Sequence, residues 1–220
     1  MAVSNHKTHL FFIGGAADQE PYYLVGPFKR INRAQQIFKR KIRNKPYAQQ
    51  CEIHILGYNK IYRPEDIQKY VLDKISVGDS LYIIAHSLGG WNAAHLSRIL
   101  CENRHSVKML ITLDPVGEGV LVWAGSYIFR EPQPFPQADF WINIHTESTA
   151  LDPSDVVAYI GKQWKIDQGP DINETVNVHH FNAYRIFTTK LSGGQAAVEY
   201  LIENLEEIYL GHVAEQRNTD

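Results

Sequence analysis

Cysteine is scarce: Cys51 and Cys101 are the two in 220 residues. Two cysteines so far apart make neither a disulfide framework nor a zinc ligand set, and a chain of this length buries enough core to fold without either. Long hydrophobic runs are missing too. Nothing approaches the roughly 18 apolar residues of a membrane helix, and Met1 to Leu10 holds no apolar stretch of signal-peptide length. The expectation is a reducing cytoplasmic setting, with export by a route needing no cleaved leader as the alternative. No internal repeat, low-complexity tract or linker interrupts the chain. With 44% hydrophobic and 21% charged residues, the composition is that of one globular domain and excludes disorder.

Net charge is also small, at -2, and by itself predicts no polyanionic partner. Its distribution is uneven. Eight of the 22 basic residues lie between Lys29 and Lys45 with no acid among them (Lys29, Arg30, Arg33, Lys39, Arg40, Lys41, Arg43, Lys45). This is a positive patch on an acidic body. With no recognition motif and a negative total charge, a nucleic-acid partner is not expected.

What the chain does contain is alternation. His9–Ile13 reads as a buried strand closed by Gly14-Gly15. Residues 31–42 carry Ile31, Ala34, Phe38 and Ile42 at helical spacing. Cys51–Leu56 is a second strand, and Pro64 suits the first turn of a helix to about Ile75. Ser80–Ile84, Val107–Leu113, Phe140–Ile144 and Thr175–Val178 read as further strands. Helices are expected over Trp91–Cys101 and from Gln195 to Leu210, the latter stopped by Gly211. Strands alternating with helices predict a mostly parallel sheet covered on both faces. One stretch breaks the rhythm: Val116–Gln137 combines Val120, Leu121, Val122, Trp123, Tyr127, Ile128 and Phe129 with Pro132, Pro134 and Pro136. Loops that long in a compact domain are usually functional or disordered, and its aromatic content favours the former.

The chemistry sits in Leu81-Tyr-Ile-Ile-Ala-His-Ser-Leu-Gly-Gly-Trp91. A strand runs into a serine flanked by small residues, and a helix follows. A sharp strand-to-helix turn strains the central residue and pushes its oxygen out of the sheet edge. It also aims the N–H of Leu88 at the place where an oxyanion would form, with the positive helix end behind it. Ala85-His-Ser-Leu-Gly89 resembles the G-x-S-x-G nucleophile elbow of the α/β-hydrolase superfamily, in its lipase and esterase version. Ala85 in place of Gly is the one departure. The likeness extends to the strand order from about residue 8 to 210.

The resemblance implies a single α/β-hydrolase domain over residues 1–220, with 116–137 as a cap or lid segment. It implies a serine hydrolase with the chain order Ser, acid, His. Ser87 is then the nucleophile. Asp114, in a Leu-Asp-Pro turn after the next strand, is favoured as the acid, with Asp155 and Asp152 after the following strand as alternatives. The base should follow the last strand, where His180 is favoured over His179 because Arg185 stands five positions on. Gly15 or Ala16, in the loop after the first strand, would supply the second oxyanion donor, and Tyr22 and Tyr23 could line the pocket. The expected reaction is cleavage of carboxylic esters through an acyl-enzyme. The same residues could serve a thioesterase, an amidase or an acyltransferase, or the fold could be a non-catalytic ligand receptor. No cofactor or metal is expected: His86 is the variable elbow position, His54, His95 and His145 read as structural, and no histidine shows a metal-ligand spacing. The expected partner is a small-molecule or lipid ester, with transient contact to an anionic membrane through the basic segment 29–45.

Overall fold

In the computed structural model, the described residues are 7–16, 18, 29–117, 133–148 and 161–217. Asp152, Asp155, Tyr22, Tyr23 and most of the 116–137 insertion, with its Trp123, Tyr127 and Phe129, lie outside them.

Six strands form one sheet: β1 (Thr8–Gly14), β2 (Cys51–Gly57), β3 (Ser80–His86), β4 (Val107–Leu113), β5 (Trp141–Thr146) and β6 (Ile172–Val176). Their order is β2-β1-β3-β4-β5-β6, and every pair is parallel. Parallel strands need crossovers; α1 (Lys29–Ile42), α2 (Pro64–Tyr70) and α3 (Leu88–Glu102) supply the first three, and α4 (Ala183–Thr188) and α5 (Ala197–Arg217) follow the last strand.

Strand pleating sorts the core into two layers. Leu10, Phe12, Tyr82 and Ile84 point to one face, where they meet Ile31, Ala34, Phe38 and Ile42 of α1, Ile186 and Phe187 of α4, and Val198, Leu201 and Leu205 of α5. Phe11, Ile13, Leu81, Ile83 and Ala85 point to the other, against Ile67 of α2 and Leu88, Trp91, Leu96 and Leu100 of α3. Tyr82 avoids an unpaired buried hydroxyl by donating to Asn204 Oδ1 of α5 at 2.9 Å. Sheets covered on both faces read as near-continuous apolar runs, which is why β1, β3 and β4 were legible.

Several boundaries differ from expectation. The helix from Pro64 ends at Tyr70, and the chain tightens into a 3₁₀ turn over Leu72–Lys74. The tighter turn still buries Ile75. β6 starts at Ile172: Ile172, Glu174 and Val176 share the more buried face and alternate with exposed Asn173 and Thr175, as in an edge strand with one wet face. β5 continues to Thr146. Gly211 does not stop α5, which runs on to Arg217. A glycine stop needs a left-handed residue, and Gly211 is not among those with positive φ. In an exposed helix interior it costs about 1 kcal/mol relative to Ala.

The chain leaves β1 for β2 on one side and later takes up β3 on the other. The β1/β3 gap is therefore the point where strand order reverses, and the crevice outside the carboxyl ends there is where open α/β sheets bind ligands.

Candidate active site

Ser87 stands at that crevice. It follows β3 without a spacer and caps α3 with φ 56° and ψ -128°, a region that costs a non-glycine residue about 1–3 kcal/mol. The helix begins at Leu88, three residues before the position expected from the sequence, so the turn has no slack. Ser87 N–H donates to Leu113 O of β4 at 3.0 Å, and its carbonyl accepts from Gly90 N–H at 2.8 Å. The need for glycine at position 89 arises across the strands: a Cβ there would lie 2.7 Å from Gly14 O and 2.9 Å from Ile13 O of β1. The elbow is squeezed against the neighbouring strand.

The same closeness brings the β1 loop to the serine. A Cβ on Gly15 would meet Ser87 Cβ at 2.6 Å and its Oγ at 3.0 Å, so only a glycine lets this backbone lie beside the nucleophile. The loop is braced by Asp18, which the sequence reading passed over. Its buried carboxylate accepts the N–H groups of Arg30 at 3.2 Å and Ile31 at 2.7 Å at the start of α1. Burial raises its pKa, against the pull of those two backbone bonds. Leu88 heads α3, where the first N–H groups have no intrahelical acceptor. Gly15 thus lies beside the Ser87 hydroxyl from the β1 loop, and Leu88 follows it at the head of α3.

His180 Nε2 lies 3.0 Å from Ser87 Oγ, and its Nδ1 lies 2.5 Å from Asp114 Oδ2. His179, its neighbour in the chain, is not the residue facing Ser87. His180 sits in the turn between β6 and α4, fixed from two directions. Its carbonyl accepts the Nε2–H of His86 at 2.8 Å, so the elbow's variable position holds the loop that carries the histidine. Beside it, the Arg30 guanidinium stacks 3.5 Å over the Phe181 ring, and that of Arg33 lies 4.3 Å over Tyr184. Two residues of the basic patch are therefore spent on bracing this loop.

Asp114 takes a left-handed conformation (φ 46°) just after β4, one that Asp tolerates better than most residues. Its fully buried carboxylate accepts from Thr146 N–H at 3.0 Å, Thr146 Oγ1 at 2.7 Å and Gln163 Nε2 at 2.7 Å, besides His180. Burial pushes its pKa up, but the hydrogen bond and charge of His180, then the two Thr146 bonds, outweigh it and hold the carboxyl below the ordinary range. It is ionised at neutral pH and can stabilise an imidazolium. Neither Thr146 nor Gln163 was visible in the sequence. Thr146 lies in the unread end of β5, and Gln163 arrives from beyond the insertion by pairing antiparallel with Val116. His145, read as a satisfied structural residue, has a buried Nδ1 without a hydrogen-bond partner among the described residues. That atom lies 3.9 Å from Asp114 Oδ1. Burial lowers its pKa, against the attraction of Asp114.

The buried histidines predict acid lability. Burial, then the charge of His180 and more weakly of Arg30, pushes His86 down to about 3, against the His180 carbonyl and Asp114. Burial, then Arg98, pushes His95 down to about 4. Unfolded, both titrate near 6.5. Between those values the unfolded state binds protons that the folded state does not. Stability therefore falls as pH drops below about 6.5, by up to about 1.4 kcal/mol per pH unit for each such histidine. Urea unfolding at pH 7 and pH 5 measures the slope. His86→Gln should make it shallower, and an unchanged slope would show that His86 has no part in it.

A reversal point flanked by a strained strand–serine–helix turn, with Asp and His delivered from later strand ends, defines an α/β-hydrolase-like fold. No protein-family model and no curated protein matches the chain in sequence. Among solved structures it is similar to a cell surface protein from Lactobacillus plantarum WCFS1 described as a hydrolase, at 13% identity over 80% of this chain and 84% of that one, with TM-score 0.46. It is also similar to Est1E from Butyrivibrio proteoclasticus, at 12% identity over 95% and 89% with TM-score 0.43. A metagenomic carboxyl esterase follows, at 9% identity over 97% and 77% with TM-score 0.39.

Proposed function

We propose that the chain is a serine hydrolase cleaving carboxylic esters through an acyl-enzyme. The observation that carries this reading is the continuous relay from Ser87 Oγ through His180 to Asp114. Serine at its normal pKa is a poor nucleophile. In this reading His180 Nε2 takes the Ser87 proton as Oγ attacks the ester carbonyl carbon. The carbonyl oxygen becomes an oxyanion held by N–H groups of Leu88 and of Gly15 or Ala16. His180 then gives the proton to the leaving alkoxide. In the second half, water gives a proton to His180 as its oxygen attacks the acyl carbon; the bond to Ser87 Oγ then breaks, His180 returns the proton to Oγ, and the carboxylic acid leaves. Asp114 keeps the Nδ1 proton in place throughout. The single-domain reading of residues 1–220, with 116–137 as a cap, belongs to the same proposal.

The substrate we propose is a lipid ester at an anionic surface. The apolar stripe of α1 is buried in the core, while Lys39, Arg40, Lys41 and Arg43 are exposed. Lys45 pairs with Glu206, and Arg30 and Arg33 are stacked on aromatic rings, so the free cationic face is smaller than the sequence implied. Four such residues add about 1 kcal/mol each near an acidic bilayer. No described helix is long and apolar enough to cross a membrane. A p-nitrophenyl ester series tests the reaction, and vesicle sedimentation tests the surface. The expected result is turnover rising with chain length and salt-sensitive binding to anionic vesicles. Equal binding to anionic and neutral vesicles, with turnover confined to short esters, would overturn the lipid reading and leave an esterase of soluble substrates. No turnover of any ester, thioester or amide would overturn the enzyme reading.

A further inference from the structure

At the opposite end of the strands from Ser87, β1 and β2 bring together three side chains that no part of the proposed reaction uses. His9 and Glu52 are register partners, and His54 follows on the same face of β2. His9 Nδ1 lies 3.1 Å from His54 Nε2 and 3.7 Å from Glu52 Oε2. We propose that His9, His54 and Glu52 form a binding site for a divalent transition-metal ion of the zinc type, with a fourth position left to water.

The spacing suits the ion. Two imidazole nitrogens at about 2.0–2.1 Å from a tetrahedral zinc stand about 3.3 Å apart. Two imidazoles and one carboxylate are a donor set that favours Zn²⁺ and its first-row neighbours over Ca²⁺ or Mg²⁺, which take oxygen ligands.

A second feature is independent of the three donors. Metal-binding histidines commonly donate their other ring N–H to a carboxylate, which fixes the tautomer. His9 does so here. Its Nε2 lies 3.2 Å from Asp79 Oδ2, and Asp79 is itself held by the N–H groups of Ser76 at 2.7 Å and Lys7 at 3.0 Å. A buried carboxylate thus keeps the His9 proton on Nε2 and turns the Nδ1 lone pair toward His54 and Glu52. In the metal-free protein His54 Nε2–H satisfies that lone pair. Metal entry needs His54 to carry its proton on Nδ1 instead, a tautomer change with no net proton loss.

Charge and access agree. Lys7 pairs with Oε1 of Glu52 at 2.5 Å and leaves Oε2 turned to His9. Lys7 and, beside His54, Lys74 balance the carboxylates of Glu52 and Asp79, and Oε2 of Glu52 stays the charged oxygen nearest the His9 nitrogen. β2 is one of the two edge strands of the described sheet, and Glu52 and His54 are half-buried, not sealed, so an ion has a way in. His9, by contrast, is fully buried. The two histidines are 45 positions apart in sequence, and only strand pairing gives them a ligand spacing.

The test is calorimetric titration of chelator-treated full-length protein with Zn²⁺, and titration with Co²⁺ followed by its visible absorption. One Zn²⁺ per chain is expected, with a tetrahedral-type Co²⁺ spectrum. His54→Ala and Glu52→Gln, both at half-exposed edge positions, should each weaken binding at least 100-fold. Asp79→Asn should weaken it 10- to 100-fold with the stoichiometry unchanged, as loss of a supporting carboxylate does. His212→Ala, on α5, should leave binding as it is. Absence of stoichiometric binding in the wild type, or wild-type affinity in the His54→Ala/Glu52→Gln double variant, would overturn the proposal. Ester turnover is read in parallel. Because the site stands about 20 Å along β1 from the nucleophile loop, turnover should persist in the metal-free protein, so failure of one proposal does not carry the other with it.

Discussion

Ser87→Ala should lower turnover by on the order of 10⁴–10⁶, with the fold intact. Ser87 Oγ contacts His180 Nε2 in the described structure, and the elbow's backbone bonds to Leu113 and Gly90 involve no side-chain atom. The left-handed turn is as hard for alanine as for serine, so stability should change little. Labelling with a fluorophosphonate separates the chemistry from the fold: the wild type should be modified on Ser87 and the variant not at all. Wild-type labelling of Ser87→Ala would move the nucleophile elsewhere and overturn the proposed function.

Asp114→Asn should be nearly as severe for activity, about 10⁴ in kcat. Asparagine nearly matches aspartate in shape, but its amide nitrogen would donate to His180 Nδ1 and drive the ring proton to Nε2. His180 could then no longer accept from Ser87. The Thr146 hydroxyl must then accept where it had donated, and the bonds from Thr146 N–H and Gln163 to Oδ1 lose their charge, so a loss of stability on the order of 1–3 kcal/mol should accompany it. Steady-state kinetics alongside urea unfolding at pH 7 separates the two effects. If Asp114→Asn keeps activity within tenfold while Asp155→Asn or Asp152→Asn abolishes it, the orienting acid is one of those two later residues.

How much of this could be read in advance differs by element. β1, β3 and β4 are buried except at Thr8 and Lys108, so they appear as near-continuous apolar runs. The amphipathic stripe of α1 survives intact as its core face. The turn at Ser87 was legible because its requirements are local: a strand, a small residue on each side, a helix. Boundaries failed where packing overrode propensity. α3 starts at once after Ser87 because Gly89 and Gly90 fit against β1 and Pro115, glycines that would otherwise read as loop. β6 hid behind Asn173 and Glu174, which stand on opposite faces of an edge strand and both carry poor strand propensity.

The residues around the site divide in the same way. Chain order in the resembled family pointed to Asp114 and His180 but left His179, Asp152 and Asp155 as competitors, because spacing does not say which side chain turns inward. Thr146, Gln163 and His86 gave no signal as supports, since their contacts to Asp114 and His180 depend on how the strand ends meet, and neither did Asp18, whose partners are backbone N–H groups at the start of α1. The histidines at 9 and 54 are the extreme case: in sequence they share no pattern, and in register they sit 3.1 Å apart. What the sequence determined by itself were the properties written in short range: buried strands, helical stripes and the strained turn that exposes one serine, all set by hydrophobic periodicity and backbone sterics. What the tertiary structure alone decided was which polar groups meet. A hydrogen bond or a ligand set depends on positions within a few tenths of an ångström, and those follow from strand order, register and pleat.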